Sequence, residues 1–227
     1  MKKLRAVFFD LDDTLYNDVD FRVSGFEAVA RYVENRYSIS AKLLLDVLMW
    51  LVKEKGFLRS GLFDEAICVI GGDRSINVME LVEEYRNHMP SINLYEDARE
   101  MLETLQEHYM LGLITGGSAL VQRNKIMALG LEQFFSKYII FTEKLGIDAQ
   151  KPSPIPFRRM LNMADVLPEE ACYIGDNPFI DFIGAKHSGL KTIRLLRGRY
   201  ADIETVSEHC VDINIKTLRD LPDLLIK

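Results

Sequence analysis

The chain has 227 residues, of which 48% are hydrophobic and 27% charged, values typical of a soluble globular protein. Its 28 lysines and arginines against 34 aspartates and glutamates leave a net charge of −6, which argues against a dedicated nucleic-acid-binding protein. No apolar run approaches the ~18 residues of a membrane span, and Asp10 follows the basic start too soon for a signal peptide, so we expect a cytoplasmic protein without nucleic-acid or membrane partners.

The first predicted element is a buried strand with acidic residues directly after it. The apolar run from Ala6 to Phe9 contains no alternating polar residue, which is typical of a strand covered on both faces. Asp10, Asp12 and Thr14 follow at intervals of two, so an extended backbone would point their side chains into one crevice. Ligands bind beyond the carboxyl ends of strands in open α/β sheets. A turn with a helix cap is the alternative explanation for these residues.

Between residues 17 and 90 the pattern changes to that of about four helices without a strand. Apolar residues recur at helical spacing from Phe21 to Val33, Leu43 to Val52, Leu62 to Val69 and Ile76 to Tyr85. We expect the Met and aromatic side chains of this stretch to pack in its core, namely Met49, Trp50, Phe57 and Met79.

From residue 91 onward, predicted helices alternate with short apolar strands. The predicted strands are Met110–Ile114, Tyr138–Phe141, Ala171–Ile174 and Lys191–Leu195, and the helix before the last of them is predicted from about Phe179 to His187. This alternation implies a parallel sheet covered on both faces, a doubly wound α/β fold. The first strand must join that sheet, so residues 1–16 and 91–227 are predicted to form the α/β core and residues 17–90 an all-helical insert.

Three further sets of polar residues lie at or near strand ends. Thr115-Gly116-Gly117-Ser118 precedes a helix, where backbone N–H groups and the helix dipole favour a phosphate; a turn with Ser118 as N-cap would use the same residues. Lys151 lies among prolines that restrict its backbone. Gly175-Asp176, with Asp181, adds two carboxylates. Each set alone could be a cap or a solvated surface, but four sets in one sheet indicate a common site.

Taken in order, the four sets resemble the four motifs of the haloacid dehalogenase-like hydrolase superfamily. The insert at 17–90 also resembles the helical cap that this family carries between its first and second motifs. The resemblance spans most of the α/β portion, and both the order of the motifs and their internal spacing match. The residues that carry it are, in motif order, Asp10, Asp12 and Thr14; Thr115; Lys151; and Gly175, Asp176 and Asp181.

The resemblance implies a phosphoric monoester hydrolase with an aspartyl-phosphate intermediate. Asp10 would attack phosphorus, and Asp12 would protonate the leaving oxygen and later deprotonate the water. Lys151 would balance the charge on Asp10 and on the phosphoryl group. The expected substrate is a small phosphorylated metabolite: a sugar phosphate, a phosphoglycolate-like compound or a nucleotide monophosphate.

The same resemblance assigns the ligand-binding residues. Mg²⁺ prefers hard oxygen ligands, and the implied set is the Asp10 and Asp176 side chains with the Asp12 main-chain carbonyl. Thr115, the Gly116 N–H and Lys151 would bind phosphoryl oxygens. The implied supporting residues are Thr14 and Asp181, the latter orienting Lys151 or a metal-bound water.

Other functions stay open at this level. Asp12 favours phosphoryl transfer, because family members that cleave carbon–halogen bonds typically lack an Asp there. A phosphomutase of the same superfamily would pass the phosphoryl group to a second hydroxyl instead of water. A receiver-type signalling domain also uses Asp, Thr, Lys and Mg²⁺, but it carries no large helical insert. We expect the insert to determine substrate specificity, with Arg22, Arg59 and Arg74 as candidate contacts. The sequence leaves the oligomeric state unknown.

Overall fold

The computed structural model describes residues 3–56, 60–72, 75–204 and 211–225. The chain divides into two compact units, one formed by Met1–Asp18 with Ile92–Lys227 and the other by Val19–Ser91. Within the described ranges, none of the helices combines the length and the apolar character needed to cross a membrane.

The first unit is built on a six-stranded sheet in which all neighbouring strands are parallel. The strands lie in the spatial order β3-β2-β1-β4-β5-β6, so β1 is central and pairs with β2 and β4. Their bounds are β1 (Ala6–Phe9), β2 (Met110–Thr115), β3 (Ile139–Phe141), β4 (Ala171–Gly175), β5 (Lys191–Leu195) and β6 (Ile213–Ile215).

Helices make up the second unit and connect the strands of the first. In chain order their bounds are α1 (Asp18–Tyr37), α2 (Ala41–Lys55), α3 (Leu62–Val69), α4 (Val78–Asn87), α5 (Glu96–Leu105), α6 (Ala119–Ala128), α7 (Glu132–Phe135), α8 (Ile155–Ala164), α9 (Phe182–His187) and α10 (Leu221–Leu225).

The burial of β1 explains the architecture. All four of its residues are inaccessible to solvent, as expected for a continuous apolar run at the centre of a parallel sheet. On one face Phe8 belongs to a core cluster that includes Phe157 of α8 and Phe182 of α9. The predicted doubly wound α/β fold is confirmed.

The helical unit has its own core, in which α1 to α4 pack together. The inward face of α2 is formed by Leu44, Leu48 and Leu51, which are fully buried. The expectation that Met49, Trp50 and Met79 pack in this core is wrong: they are 38%, 51% and 64% exposed. For Met49 and Trp50 the reason is that the leucine stripe already fills the inward face of α2. Phe57 and the candidate contacts Arg59 and Arg74 lie outside the described residues.

Several predicted boundaries shift. Helix α9 begins at Phe182 instead of about Phe179, because the amides of Ile180 and Asp181 turn back to the Asn177 carbonyl. Strand β3 begins at Ile139, one residue later than predicted. Strand β6 was not predicted, since three residues with a central polar Asn214 give too short a signal.

Candidate active site

Predicted site residues meet at the carboxyl edge of the sheet because β1, β2 and β4 are neighbours. Asp10 follows β1, Thr115 ends β2 and Asp176 follows β4, and all three side chains are buried. The Asp10 N–H donates to the Ile174 carbonyl at 2.8 Å, which fixes the Asp10 backbone against β4.

A buried lysine lies between two carboxylates at this edge. The Lys151 ammonium forms ion pairs with Asp10 and, at 2.7 Å, with Asp181. It also donates to the Tyr173 hydroxyl at 3.1 Å, and that hydroxyl donates to Asp181 at 3.1 Å. A buried lysine is stable only when it is paired in this way. We call Asp10, Lys151, Tyr173 and Asp181 the Lys151 cluster.

Asp176 adds a third carboxylate next to this cluster. Carboxylate oxygens of Asp10, Asp176 and Asp181 all lie within 4.8 Å of one another, and Thr14 donates its hydroxyl to Asp176 at 3.3 Å. Asp181 is already committed, since one of its oxygens accepts from Lys151 and the other from the Asn177 N–H at 2.9 Å. Asp10 and Asp176 are therefore the side chains with the most capacity to bind a cation.

The electrostatics of these carboxylates fit a divalent cation. Burial, reinforced by neighbouring carboxylates and opposed at Asp10 by Lys151, raises the pKa of Asp10 to about 7. Burial and the nearby Asp181 and Asp10 raise the pKa of Asp176 to about 9. Burial disfavours the charged form of Lys151, but Asp10 and Asp181 outweigh it and hold its pKa well above the usual value. The single positive charge of Lys151 cannot balance three ionised carboxylates. Hard carboxylate oxygens are the donors that Mg²⁺ prefers.

The loop after β2 combines a buried hydroxyl with two glycines. Thr115 is fully buried and accepts from the Gln122 amide at 2.5 Å. Ser118 precedes α6 as its N-cap residue but makes no side-chain capping bond, and the Glu143 carboxylate accepts from the Ala119 N–H at 2.6 Å instead. Ser118 is thus the N-cap residue of α6, as the alternative explanation of this loop had it, but its hydroxyl does not cap the helix.

A further hydroxyl lies beside this loop, at the end of β3. The Thr142 Oγ1 is buried and has no hydrogen-bond partner among the described residues. It lies 3.8 Å from the position that a Cβ at Gly116 would occupy. The sequence reasoning did not single out Thr142, although a polar residue directly after a predicted strand was the signal that identified the others.

Asp12 belongs to a second cluster around a different lysine. Its Oδ1 accepts from the Lys125 ammonium at 2.6 Å and from the Tyr16 hydroxyl at 2.6 Å, and its Oδ2 accepts from the Gln122 amide at 2.8 Å. Lys125 also reaches Asp18 at 3.3 Å. Burial disfavours the charged form of Asp12, but Lys125 and the hydroxyl and amide donors outweigh it and lower its pKa. We call Asp12, Tyr16, Asp18, Gln122 and Lys125 the Lys125 cluster.

The sequence reasoning missed the donors of this second cluster. Gln122 and Lys125 are three residues apart on α6 and both are buried, so they share the inward face of the helix. Their spacing from Ala119 and Ile126, which are also buried, was the available signal. It is weak, because polar residues on a short helix normally face solvent.

Three arginines in and after β5 bond to other groups of the chain. Buried Arg194 donates to the carbonyls of Tyr200 and Ile203 at 2.5 and 2.9 Å. Arg197 pairs with buried Asp97, and Arg199 lies 3.6 Å from Asp18. All three arginines therefore have contacts within the chain.

A doubly wound sheet with clustered carboxylates and a buried lysine at its central strand ends is typical of α/β enzymes that bind their substrate at that edge. The chain belongs to the haloacid dehalogenase-like hydrolase family, whose model matches residues 7–195.

Individual relatives extend over nearly the whole chain. A glyceraldehyde 3-phosphate phosphatase of Methanopyrus kandleri is 32% identical over 234 residues, covering 98% of this chain and 97% of the relative. Pyrophosphatase PpaX of Bacillus anthracis is 30% identical over 233 residues, covering 98% and 97%. The crystal structure of the HAD hydrolase YfnB of Bacillus subtilis has the same fold, with a TM-score of 0.69, 22% identity and 99% of each chain covered. The predicted superfamily and enzyme class, a haloacid dehalogenase-like phosphatase, are confirmed.

Proposed function

We propose that this enzyme is a Mg²⁺-dependent phosphatase that hydrolyses a small phosphorylated metabolite through an aspartyl phosphate on Asp10. The observation that supports this most strongly is the Lys151 cluster, in which one Asp10 oxygen is paired with Lys151 at the edge where Thr115 and Asp176 also lie. A carboxylate anchored by one oxygen presents the other in a defined direction. That is what in-line attack on phosphorus requires.

In the first step the free Asp10 oxygen forms a bond to phosphorus while the bond from phosphorus to the ester oxygen breaks. Asp12, which the Lys125 cluster keeps ionised in the free enzyme, must take up a proton before this step, and it donates that proton to the departing oxygen, which leaves as an alcohol. In the second step a water attacks the aspartyl phosphate, and Asp12 takes the water proton. Phosphate leaves and the Asp10 carboxylate is restored, so two easier displacements replace one difficult displacement.

The remaining residues bind the phosphoryl group and balance its charge. The Asp10 and Asp176 side chains, with the Asp12 main-chain carbonyl, would hold Mg²⁺, which supplies neutralisation of phosphoryl charge when bound. Lys151 stays in its ion pairs and offers positive charge at the same edge. The Thr115 hydroxyl and the Gly116 N–H would donate to phosphoryl oxygens, and the buried Thr142 hydroxyl beside Gly116 is a further donor for that group.

The relatives suggest which metabolites to test first. The Methanopyrus kandleri relative is named for glyceraldehyde 3-phosphate, and a human relative, 27% identical over 207 residues and covering 84% of this chain and 82% of its own length, is named for N-acylneuraminate 9-phosphate. Both named compounds are primary phosphate esters, one of a sugar and the other of a sugar acid. We propose an ester of this kind, with glyceraldehyde 3-phosphate as the first candidate.

The test is a panel of phosphate compounds assayed for phosphate release with Mg²⁺ and with chelator. It contains glyceraldehyde 3-phosphate, N-acylneuraminate 9-phosphate, phosphoglycolate, a nucleotide monophosphate and pyrophosphate. We expect phosphate release from a sugar-type ester, loss of that release in EDTA and its recovery with Mg²⁺. Ca²⁺ should substitute poorly, since it takes more ligands at longer distances. Undiminished release in chelator would contradict the metal assignment, and isomerised sugar phosphate with little free phosphate would identify a mutase instead.

A further inference from the structure

The Asp12 carboxylate is held by three donors that belong to no motif of the sequence. Its Oδ1 receives two of them, from Lys125 and from Tyr16, both at 2.6 Å. Its Oδ2 receives one, from the Gln122 amide at 2.8 Å. An oxygen that accepts from an ammonium and a hydroxyl has little capacity to carry a proton as well. Oδ2 is therefore the Asp12 oxygen with room for a further hydrogen-bond partner, such as the leaving oxygen of a bound ester.

Gln122 ties that oxygen to the predicted phosphate-binding loop. Its amide nitrogen donates to Asp12 Oδ2 at 2.8 Å and to the Thr115 hydroxyl at 2.5 Å. An amide nitrogen has two hydrogens, so it can serve both acceptors. Asp12 Oδ2 and the Thr115 hydroxyl are therefore both hydrogen-bonded to the same nitrogen atom of Gln122.

Lys125 supplies the charge that makes this arrangement stable. Its side chain is 5% exposed and pairs with Asp12 and Asp18, whose side chains are 34% and 9% exposed. Two carboxylates close together would repel each other without a cation between them. Because Asp12 is the one member of this ion-pair triad with substantial access to solvent, it is the end of the cluster that a ligand can reach.

We propose that Lys125 and Gln122 are positioning residues that hold the Asp12 carboxylate beside Thr115, with Oδ2 directed at the leaving oxygen of a bound phosphate monoester. This inference rests on the proposed function, because it gives Asp12 its task as acid and base. The Oδ2 proton passes to the ester oxygen as the phosphorus–oxygen bond breaks, and Oδ2 later accepts the proton of the attacking water. Neither Lys125 nor Gln122 exchanges a proton in this scheme.

The test compares two esters in single turnovers with enzyme in excess, so that leaving-group release is measured apart from the later hydrolysis. One ester is p-nitrophenyl phosphate, whose leaving group departs without a proton. The other is the alkyl ester that the substrate panel identifies, whose leaving oxygen needs one. The variants are Lys125→Met, Gln122→Met and Asp12→Asn. The matched control is Arg123→Met, on the exposed face of the same helix.

We expect Lys125→Met and Gln122→Met to slow alcohol release by about 10- to 100-fold, part of the usual general-acid contribution. Release of p-nitrophenolate should stay within about 3-fold of the wild type in Lys125→Met, as in Asp12→Asn, whereas Gln122→Met, which also loses the bond to Thr115, should slow the alkyl ester more than p-nitrophenyl phosphate. The double variant Asp12→Asn/Lys125→Met should release alcohol no more slowly than Asp12→Asn alone, because Lys125 acts through Asp12. Arg123→Met should match the wild type on both esters.

Three outcomes separate this inference from the proposed function. If the wild type releases no phosphate from any ester, the proposed function fails. If the wild type is active but Lys125→Met and Gln122→Met slow leaving-group release equally from both esters, or from neither, the positioning role is wrong. If the double variant is much slower than Asp12→Asn, Lys125 acts independently of Asp12. Should Lys125→Met fail to fold, Gln122→Met, which removes no charge, decides the matter alone.

Discussion

Two clusters at the end of β1 are built on the same plan. In the Lys151 cluster a lysine pairs with Asp10 and Asp181, and its ammonium lies 5.8 Å from the centre of the Tyr173 ring. In the Lys125 cluster a lysine pairs with Asp12 and Asp18, and its ammonium lies 5.5 Å from the centre of the Tyr16 ring. In each case the tyrosine hydroxyl donates to a carboxylate that the lysine also binds.

The clusters differ in how closed they are. Side chains of Lys151, Asp10 and Asp181 are 2%, 10% and 0% exposed, whereas Asp12 is 34% exposed. A nucleophile benefits from a sealed, fixed position, because its direction of attack then costs no reorganisation. An acid and base must reach both the leaving oxygen and water. The contrast therefore suggests a division of labour in which one carboxylate is rigidly held and the other is held but accessible.

The largest effect is expected at the closed cluster. Asp10→Asn should reduce turnover by at least about 10⁵-fold, because it removes the attacking oxygen. The fold should survive, since Asp181 still pairs with Lys151 at 2.7 Å. Steady-state phosphate release and circular dichroism measure the two effects. Substantial activity in a folded Asp10→Asn enzyme would exclude the aspartyl phosphate.

A smaller loss is expected at the open cluster. Asp12→Asn should slow turnover by about 10²- to 10⁴-fold, the usual contribution of general acid and base catalysis. Mg²⁺ affinity, measured by calorimetry, should change little, because the metal contact assigned to Asp12 is its main-chain carbonyl. If the variant instead lost Mg²⁺ binding and kept its rate, the Asp12 side chain would be a metal ligand and not the acid and base.

The raised pKa values of Asp10 and Asp176 should set how pH affects the stability of the metal-free protein. The pKa of Asp10 is raised to about 7 and that of Asp176 to about 9, so above their unfolded pKa values the folded state binds more protons than the unfolded state. The free energy of unfolding in EDTA should therefore fall as pH rises from about 5 to about 9. Urea titrations measure it. Asp176→Asn should flatten the decline, and Mg²⁺ should raise stability most at high pH; a rise in metal-free stability over this range would contradict the arrangement.

The smallest effect is expected at the edge of the Lys125 cluster. Arg199 lies 3.6 Å from Asp18 and is 37% exposed, so Arg199→Met should lower the free energy of unfolding by less than about 1 kcal/mol. Alcohol release in single turnovers should be unchanged. A loss of alcohol release as large as that of Lys125→Met would mean that the position of Asp12 depends on Arg199 as much as on Lys125.

The sequence predicted the closed cluster better than the open one for a physical reason. Asp10 and Asp176 directly follow continuous apolar strands, and parallel strands bring such positions to one edge whatever the details of packing. Tyr173 was hidden because it lies within the apolar run of β4, where only its hydroxyl reveals a polar role. Gln122 and Lys125 were missed because the inward face of α6 depends on which carboxylates the sheet presents to it, and that is a tertiary property.

The most direct test of the central claim is to locate the phosphoryl group during turnover. In the proposed mechanism Asp12→Asn lacks the base for the second step, so with p-nitrophenyl phosphate and Mg²⁺ it should accumulate a phosphoenzyme. Acid quenching, peptide digestion and mass spectrometry would then find the added phosphoryl group on the peptide that contains Asp10, and Asp10→Asn/Asp12→Asn should show none. A phosphoryl group on another residue, or p-nitrophenol release at the wild-type rate with no phosphoenzyme at any time, would contradict the account.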